Sequence, residues 1–273
     1  MQQATAATKV AAESLQIDLR TEKISHWLAP PDPSTNANQA RKLRHTGTGA
    51  WLFENPVFRA WDSASRRHLW LRGLAGCGKT VLSATVLDHL TEKSNGLVLS
   101  FFFDFGDITK QTVDYMLRSL AFQLYQGGTG SVGPLDASFR THQDGRQQPT
   151  TAALQDVIVK MLTIQKRVYI VLDALDESMT RGELISWIRD MASSPELGHV
   201  QLLCTGRPES EFLRDLPLLV GEQNCISLDK EAVNADIRSY VEAQLSQRRD
   251  FQSLSPQLLE EIRTKVGDGA DGM

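Results

Sequence analysis

The chain has 273 residues, 41% hydrophobic and 23% charged, a composition of soluble globular proteins that excludes disordered, collagen-like and fibrous classes. Lys and Arg total 29 against 33 Asp and Glu, a net charge of -4, so no global positive field draws the chain to phosphate backbones, and nucleic acid is not an expected partner. The first thirty residues hold no apolar signal-peptide centre and nowhere do eighteen apolar residues run together, which predicts a soluble, cytoplasmic protein without a membrane span.

Residues 1–65 read as a polar N-terminal helix, a stiff Pro-rich linker from Trp27 to Ser34 (WLAPPDPS), and an approach to a domain through RHTGTGAWLF. From 66 to 229, short apolar runs alternate with segments of helical period, as in a parallel sheet flanked by helices. The runs His68–Arg72, Leu97–Phe103, Val168–Leu172, Val200–Thr205 and Cys225–Leu228 are mostly continuous and apolar, the pattern of strands covered on both faces. Between them Val113, Met116, Leu117, Leu120 and Leu124, and then Leu154, Val157, Ile158, Met161 and Leu162, repeat at three and four and predict core-packing helices. The stretch 127–149 has no period and predicts an exposed, mobile loop. Residues 230–273 read as the start of a helical region, with a stripe of Val233, Ile237, Tyr240, Val241 and Leu245 and a last helix opened by Pro256. Cys77, Cys204 and Cys225 are too few and too unevenly placed for a disulfide framework or a metal knuckle.

The first run leads into Gly73-Leu-Ala-Gly76-Cys77-Gly78-Lys79-Thr80, which satisfies G-x-x-x-x-G-K-[ST] in the required order of strand, loop and helix. Gly73, Gly76 and Gly78 let backbone N–H groups turn inward around phosphate oxygens, and the following helix aims its positive end at the same anion. Lys79 then reaches the β- and γ-phosphates, and the Thr80 hydroxyl offers a hard ligand to Mg²⁺. Cys77 and Val81 complete the candidate nucleotide-binding set. Cys77 reads either as a thiol activated beside a helix N-terminus or as a small residue filling the loop.

The run from Val168 to Leu172 ends in Asp173-Ala174-Leu175-Asp176-Glu177. Ligands of open parallel sheets bind at the carboxyl ends of the strands, so Asp173 is expected to support the metal with Thr80, and Asp176 or Glu177 to orient a water for attack on the γ-phosphate. Ala174 is small where a bulky side chain would crowd the loop. The alternative reading makes Asp176 and Glu177 ordinary helix-starting acids. The next run ends in Gly206-Arg207-Pro208-Glu209, where Arg207 either senses the γ-phosphate with its planar fork or pairs with Glu209 or Glu211. The sum is an α/β chain, a P-loop NTPase with a parallel five-stranded sheet flanked by helices, followed by a short helical segment.

Taken together, GLAGCGKT, VYIVLDALDES and LLCTGRPES resemble the Walker A, extended Walker B and first sensor motifs of NACHT-type STAND NTPases. The segments WLAPPDPSTN, RHTGTGAWLFENPVFRAW and FFFDFGD with LRSLAFQL are similar to those of the fungal and nephrocystin-type branch. That resemblance implies a switch held closed by ADP and opened by ATP and Mg²⁺, slow hydrolysis, self-association into a homo-oligomer, and coupling to an effector in fungal immunity or incompatibility signalling. It also implies a role for Gly47 to Trp51 in holding the nucleotide. A winged-helix region would begin near the end of the chain, so the resemblance implies a truncated or partial product. Two other readings share the fold: a P-loop kinase, although 127–149 carries only Arg140 and Arg146 for a lid, and a scaffold that binds nucleotide without turning it over. A GTPase fits less well, since there is no N-K-x-D and Asp176 stands at the glycine of DxxG.

Overall fold

The computed structural model describes residues 2–268 apart from 94, 129, 229, 248, 252 and 253. Four helices precede the first strand: α1 (Gln2–Leu28), α2 (Ser34–Leu43), α3 (Ala50–Glu54) and α4 (Pro56–Asp62). Then follow β1 (His68–Arg72), α5 (Lys79–Lys93), β2 (Leu97–Phe102), α6 (Val113–Gly127), α7 (Val132–Thr141), α8 (Thr151–Thr163) and β3 (Val168–Asp173). The chain continues through α9 (Arg181–Ser193), β4 (Val200–Gly206), α10 (Ser210–Val220), β5 (Cys225–Ser227), α11 (Lys230–Gln247) and α12 (Pro256–Ile262). All five expected strands form one sheet in the order β2-β3-β4-β1-β5, with every pair parallel. Among the described residues no helix is long and apolar enough to cross a membrane.

Successive side chains of a strand point to opposite faces, and the sheet divides its core accordingly. Trp70, Phe101, Ile170, Leu172, Leu202 and Cys204 face a cluster built with α1 and α6 to α10. Leu69, Leu71, Tyr169, Val171, Leu203 and Ile226 face one built with α2 to α5 and Val233 of α11. The N-terminal helices thus supply part of both layers. Ile24, Trp27 and Leu28 at the end of α1 are fully enclosed, and the Trp27 indole donates to Gln147 O at 2.7 Å and packs edge-on against Phe139 with ring centroids 5.3 Å apart. After the linker, Asn55 caps α4 by accepting from Val57 N and Phe58 N, with Pro56 in the first turn where its missing N–H costs nothing.

The expectation of a mobile loop over 127–149 is corrected: residues 132–141 form α7. Leu135 and Phe139, four residues apart and therefore on one face, are both buried in the α6–α8 layer, and these two anchors hold a helix with no other buried residue. Strand bounds differ from expectation by one residue, Phe103 and Leu228 falling just outside β2 and β5, and Asp173 and Gly206 lying inside β3 and β4.

His68 lies on the Trp70 face of β1, buried, with neither ring nitrogen hydrogen-bonded. Burial, with help from the neighbouring Arg67 charge, pushes its pKa from 6.5 down to about 4. Above pH 6.5 the ring is neutral folded or unfolded and nothing is lost. As pH falls toward 4 the unfolded chain takes up a proton that the folded chain refuses, which removes about 3 kcal/mol of stability at ~1.4 kcal/mol per pH unit. His68→Leu is therefore expected to shrink the drop in denaturant midpoint between pH 7 and pH 4.5. Parallel drops in the two proteins would refute it.

Candidate nucleotide-binding site

The loop from Gly73 to Gly78 joins β1 to α5. Gly76 and Gly78 adopt left-handed backbone at φ 78° and 84°, which a β-carbon would strain. At Gly73 the obstacle is space, since a Cβ would stand 2.6 Å from Cys77 Sγ and 3.0 Å from Leu228 Cβ. Cys77 is itself buried against this turn. The Lys79 ammonium, on the first residue of α5, curls back over the loop and donates to Gly73 O at 2.8 Å and Leu74 O at 2.6 Å, with Cys77 Sγ at 3.7 Å.

One turn of α5 faces the end of β3. Asp173 is fully buried, and three hydroxyls donate to its carboxylate: Thr80 to Oδ2 at 2.7 Å, Ser83 to Oδ1 at 2.7 Å and Thr205 to Oδ1 at 2.6 Å. Burial pushes the Asp173 carboxyl above the usual carboxylate range, against the opposing pull of these hydroxyls and of Lys79. Thr80 and Asp173, expected as the metal-facing pair, are thus in direct contact. A buried carboxylate touching a hydroxyl, beside a loop shaped for phosphate, is a hard-oxygen set that suits Mg²⁺, which takes one or two protein oxygens and completes its shell with phosphate and water. Among the described residues no group of three or more His, Cys, Asp or Glu forms a protein-only metal cage.

Beyond Asp173 the chain turns at Ala174, whose φ of 55° is left-handed, and whose N–H donates to Thr205 Oγ1 at 3.0 Å. The short turn Leu175–Glu177 then separates the two acids. Asp176 is buried and faces β4: Oδ1 accepts from Arg207 N at 2.8 Å and Oδ2 lies 3.1 Å from Arg207 Nε. Arg207 therefore pairs with Asp176, while Glu211, one of the local partners weighed from sequence, binds Arg181 at 2.8 Å. The parallel register explains this, since β3 and β4 are neighbours whose ends rise together. Glu177 is half-buried, its Oε2 accepting from Phe105 N at 3.1 Å. Burial raises its carboxyl above the ordinary value, and the charges of Asp176, Asp104 and Asp173 push the same way against the Phe105 bond. Asp176, Glu177 and Arg207 open onto a cleft of about 1000 Å³.

A second cavity of about 230 Å³ is lined by loop residues, Gly76, Cys77 and Gly78, and by Val81, together with Thr48, Trp51, Asp236 and Tyr240, whereas the larger cleft has no residue of the loop in its lining. Asp236 Oδ2 accepts from Gly49 N at 2.9 Å and from Trp51 Nε1 at 3.2 Å, and burial raises its carboxyl above the ordinary value. His45 packs edge-on to Tyr240 at 5.8 Å. Thr48 and Trp51, of the segment Gly47 to Trp51, thus share this cavity with the loop. His45, Asp236 and Tyr240 were not anticipated. The sequence held one signal for Asp236: it sits on the apolar stripe of α11, three residues after Val233 and four before Tyr240, where a carboxylate has no packing use.

A parallel sheet in this order, a glycine loop opening a helix with Lys79 and Thr80, and a buried acid ending β3, one strand removed from β1, define a P-loop NTPase. The family model for the N-terminal region of nephrocystin 3 matches residues 47–207, more than half the chain, and the chain belongs to that family of NACHT-type NTPases. The vegetative incompatibility protein HET-E-1 of Podospora anserina is 23% identical over 238 residues, 81% of this chain and 17% of that protein. Among solved structures, Cdc6p of Pyrobaculum aerophilum superposes with a TM-score of 0.53 at 14% identity, over 89% of this chain and 59% of that one, a likeness of fold alone. The chain thus spans less than two thirds of either relative.

Proposed function

We propose that this chain is an ATP-binding, slowly hydrolysing NTPase module that acts as a nucleotide-controlled switch, closed with ADP and open to self-association with ATP. The observation that carries this reading is the contact of Thr80 with buried Asp173 at 2.7 Å beside the Lys79 loop. Mg²⁺, when bound, would supply positive charge to the phosphate tail, with Thr80 and Asp173 as its protein holders. The loop N–H groups and Lys79 bind and neutralise the phosphate tail. Glu177 orients the attacking water, and its raised carboxyl makes it a stronger base than an exposed glutamate. Arg207 reaches for the γ-phosphate from a base that Asp176 holds in place, so Asp176 supports hydrolysis through the arginine. The nucleoside rests in the smaller cavity between Trp51, Tyr240 and Val81. Likeness to an incompatibility protein supports a place in signalling of that kind, with the effector and the activating signal supplied by other parts or partners.

Glu177→Gln is expected to keep ATP affinity within about threefold and slow turnover by roughly 100-fold or more, the usual contribution of a positioned base. Equal loss of binding and turnover, or wild-type turnover, would sink the assignment. Including a phosphate-acceptor mixture in the same assay separates hydrolysis from transfer.

A further inference from the structure

Between β2 and α6 the chain makes a turn closed by Asp107 N donating to Asp104 O at 3.1 Å. Phe105 is the second residue of that turn. Its side chain is 72% exposed, so it adds little packing, while its N–H meets Glu177 Oε2 at 3.1 Å. Glu177 Oε1 has no hydrogen-bond partner among the described residues. The turn is tied at both ends. Asp104 Oδ1 accepts from Gly106 N at 2.8 Å and Oδ2 from Asn36 Nδ2 at 2.8 Å. The buried Lys110 ammonium donates to Asn36 Oδ1 at 2.6 Å and to Thr35 Oγ1. On the far side Met179 N donates to Gln111 O at 2.8 Å. One hydrogen-bonded path therefore runs from Thr35 and Asn36, at the start of α2, through the turn to the acid after β3.

We propose that the Phe105 N–H is a positioning group for hydrolysis: it ties down one oxygen of Glu177 and leaves the other to accept from the attacking water, and Asn36 sets its placement through Asp104. This rests on Glu177 being the water-orienting acid. A carboxylate with one fixed oxygen has lost the rotation that would otherwise average its orientation, which is where positioning gains rate. The N-terminal segment, by moving Asn36, would then alter turnover without touching the nucleotide.

Proline is favoured at the second position of such turns, so Phe105→Pro removes the N–H while suiting the backbone, and Phe105→Ala is the conservative counterpart that keeps it. Steady-state turnover with Mg²⁺ and ATP, and ATP affinity by titration, are measured for both, for Asn36→Ala and for Glu177→Gln. The expected result is kcat at least ~10-fold lower in Phe105→Pro than in Phe105→Ala with ATP Kd unchanged, and a smaller fall of kcat alone in Asn36→Ala. If Phe105→Pro fails to fold, Asn36→Ala decides: an unchanged kcat, or kcat and Kd worsening together, overturns the proposal. Wild-type turnover in Phe105→Pro and Asn36→Ala, with Glu177→Gln inactive, overturns the positioning role and leaves the site reading standing. Wild-type turnover in Glu177→Gln removes both.

Discussion

Lys79→Ala is expected to weaken ATP and ADP binding by at least ~100-fold, since two charge-assisted bonds to phosphate oxygens are worth roughly 3 kcal/mol or more together. The fold should survive. Lys79 is satisfied by two loop carbonyls, Gly73 O in a buried contact and Leu74 O at an exposed residue, and truncating the side chain to alanine opens room for water to replace the ammonium at both. A titration of fluorescent nucleotide against wild-type and variant, alongside thermal melts without nucleotide, separates the two effects. Unchanged melting with lost binding is the expected pair. Undiminished binding would mean that the lysine does not face the phosphates.

The second large effect is on stability. Trp27→Ala should cost about 3–5 kcal/mol, the range for removing a buried aromatic side chain, because the indole is only 2% exposed and fills the layer between α1 and α7. It also strips Gln147 O of its 2.7 Å donor. With roughly 2–4 °C of melting temperature per kcal/mol in a chain of this size, a fall of about 10 °C is expected by far-UV circular dichroism. A shift under 2 °C would mean that α1 is peripheral to the folded unit.

The sheet was legible in the sequence because its central strands are buried on both faces and so read as mostly continuous apolar runs, from His68–Arg72 to Val200–Gly206. The loop was legible because its chemistry needs glycines and Lys79 at fixed spacing. Helix α7 was hidden: Gly133 and Pro134 sit in its first turn, and only Leu135 and Phe139 of its ten residues are buried, too few to set a visible period. The pairing of Asp176 with Arg207 was hidden for a different reason. Sequence weighs neighbours such as Glu209, whereas parallel pairing brings together residues 31 apart. The smaller cavity joins Thr48 and Trp51 to Asp236 and Tyr240, segments whose proximity depends on α11 folding back across the loop. Nothing local in either segment announces it beyond the misplaced carboxylate of Asp236.

The pH behaviour of the site follows from the same burial. The Glu177 carboxyl is raised, so its protonated, inactive form persists to higher pH than that of an exposed glutamate. Hydrolysis should therefore fall on the acid side sooner than an exposed glutamate would allow, and Glu177→Gln should abolish that limb together with the turnover.

Native mass spectrometry of the purified chain, with saturating ATP or ADP and Mg²⁺, tests the central claim most directly. The account predicts one nucleotide per wild-type chain and a far smaller loaded fraction of Lys79→Ala at the same nucleotide concentration. A wild-type chain that carries no nucleotide, or a variant that carries as much, would contradict it.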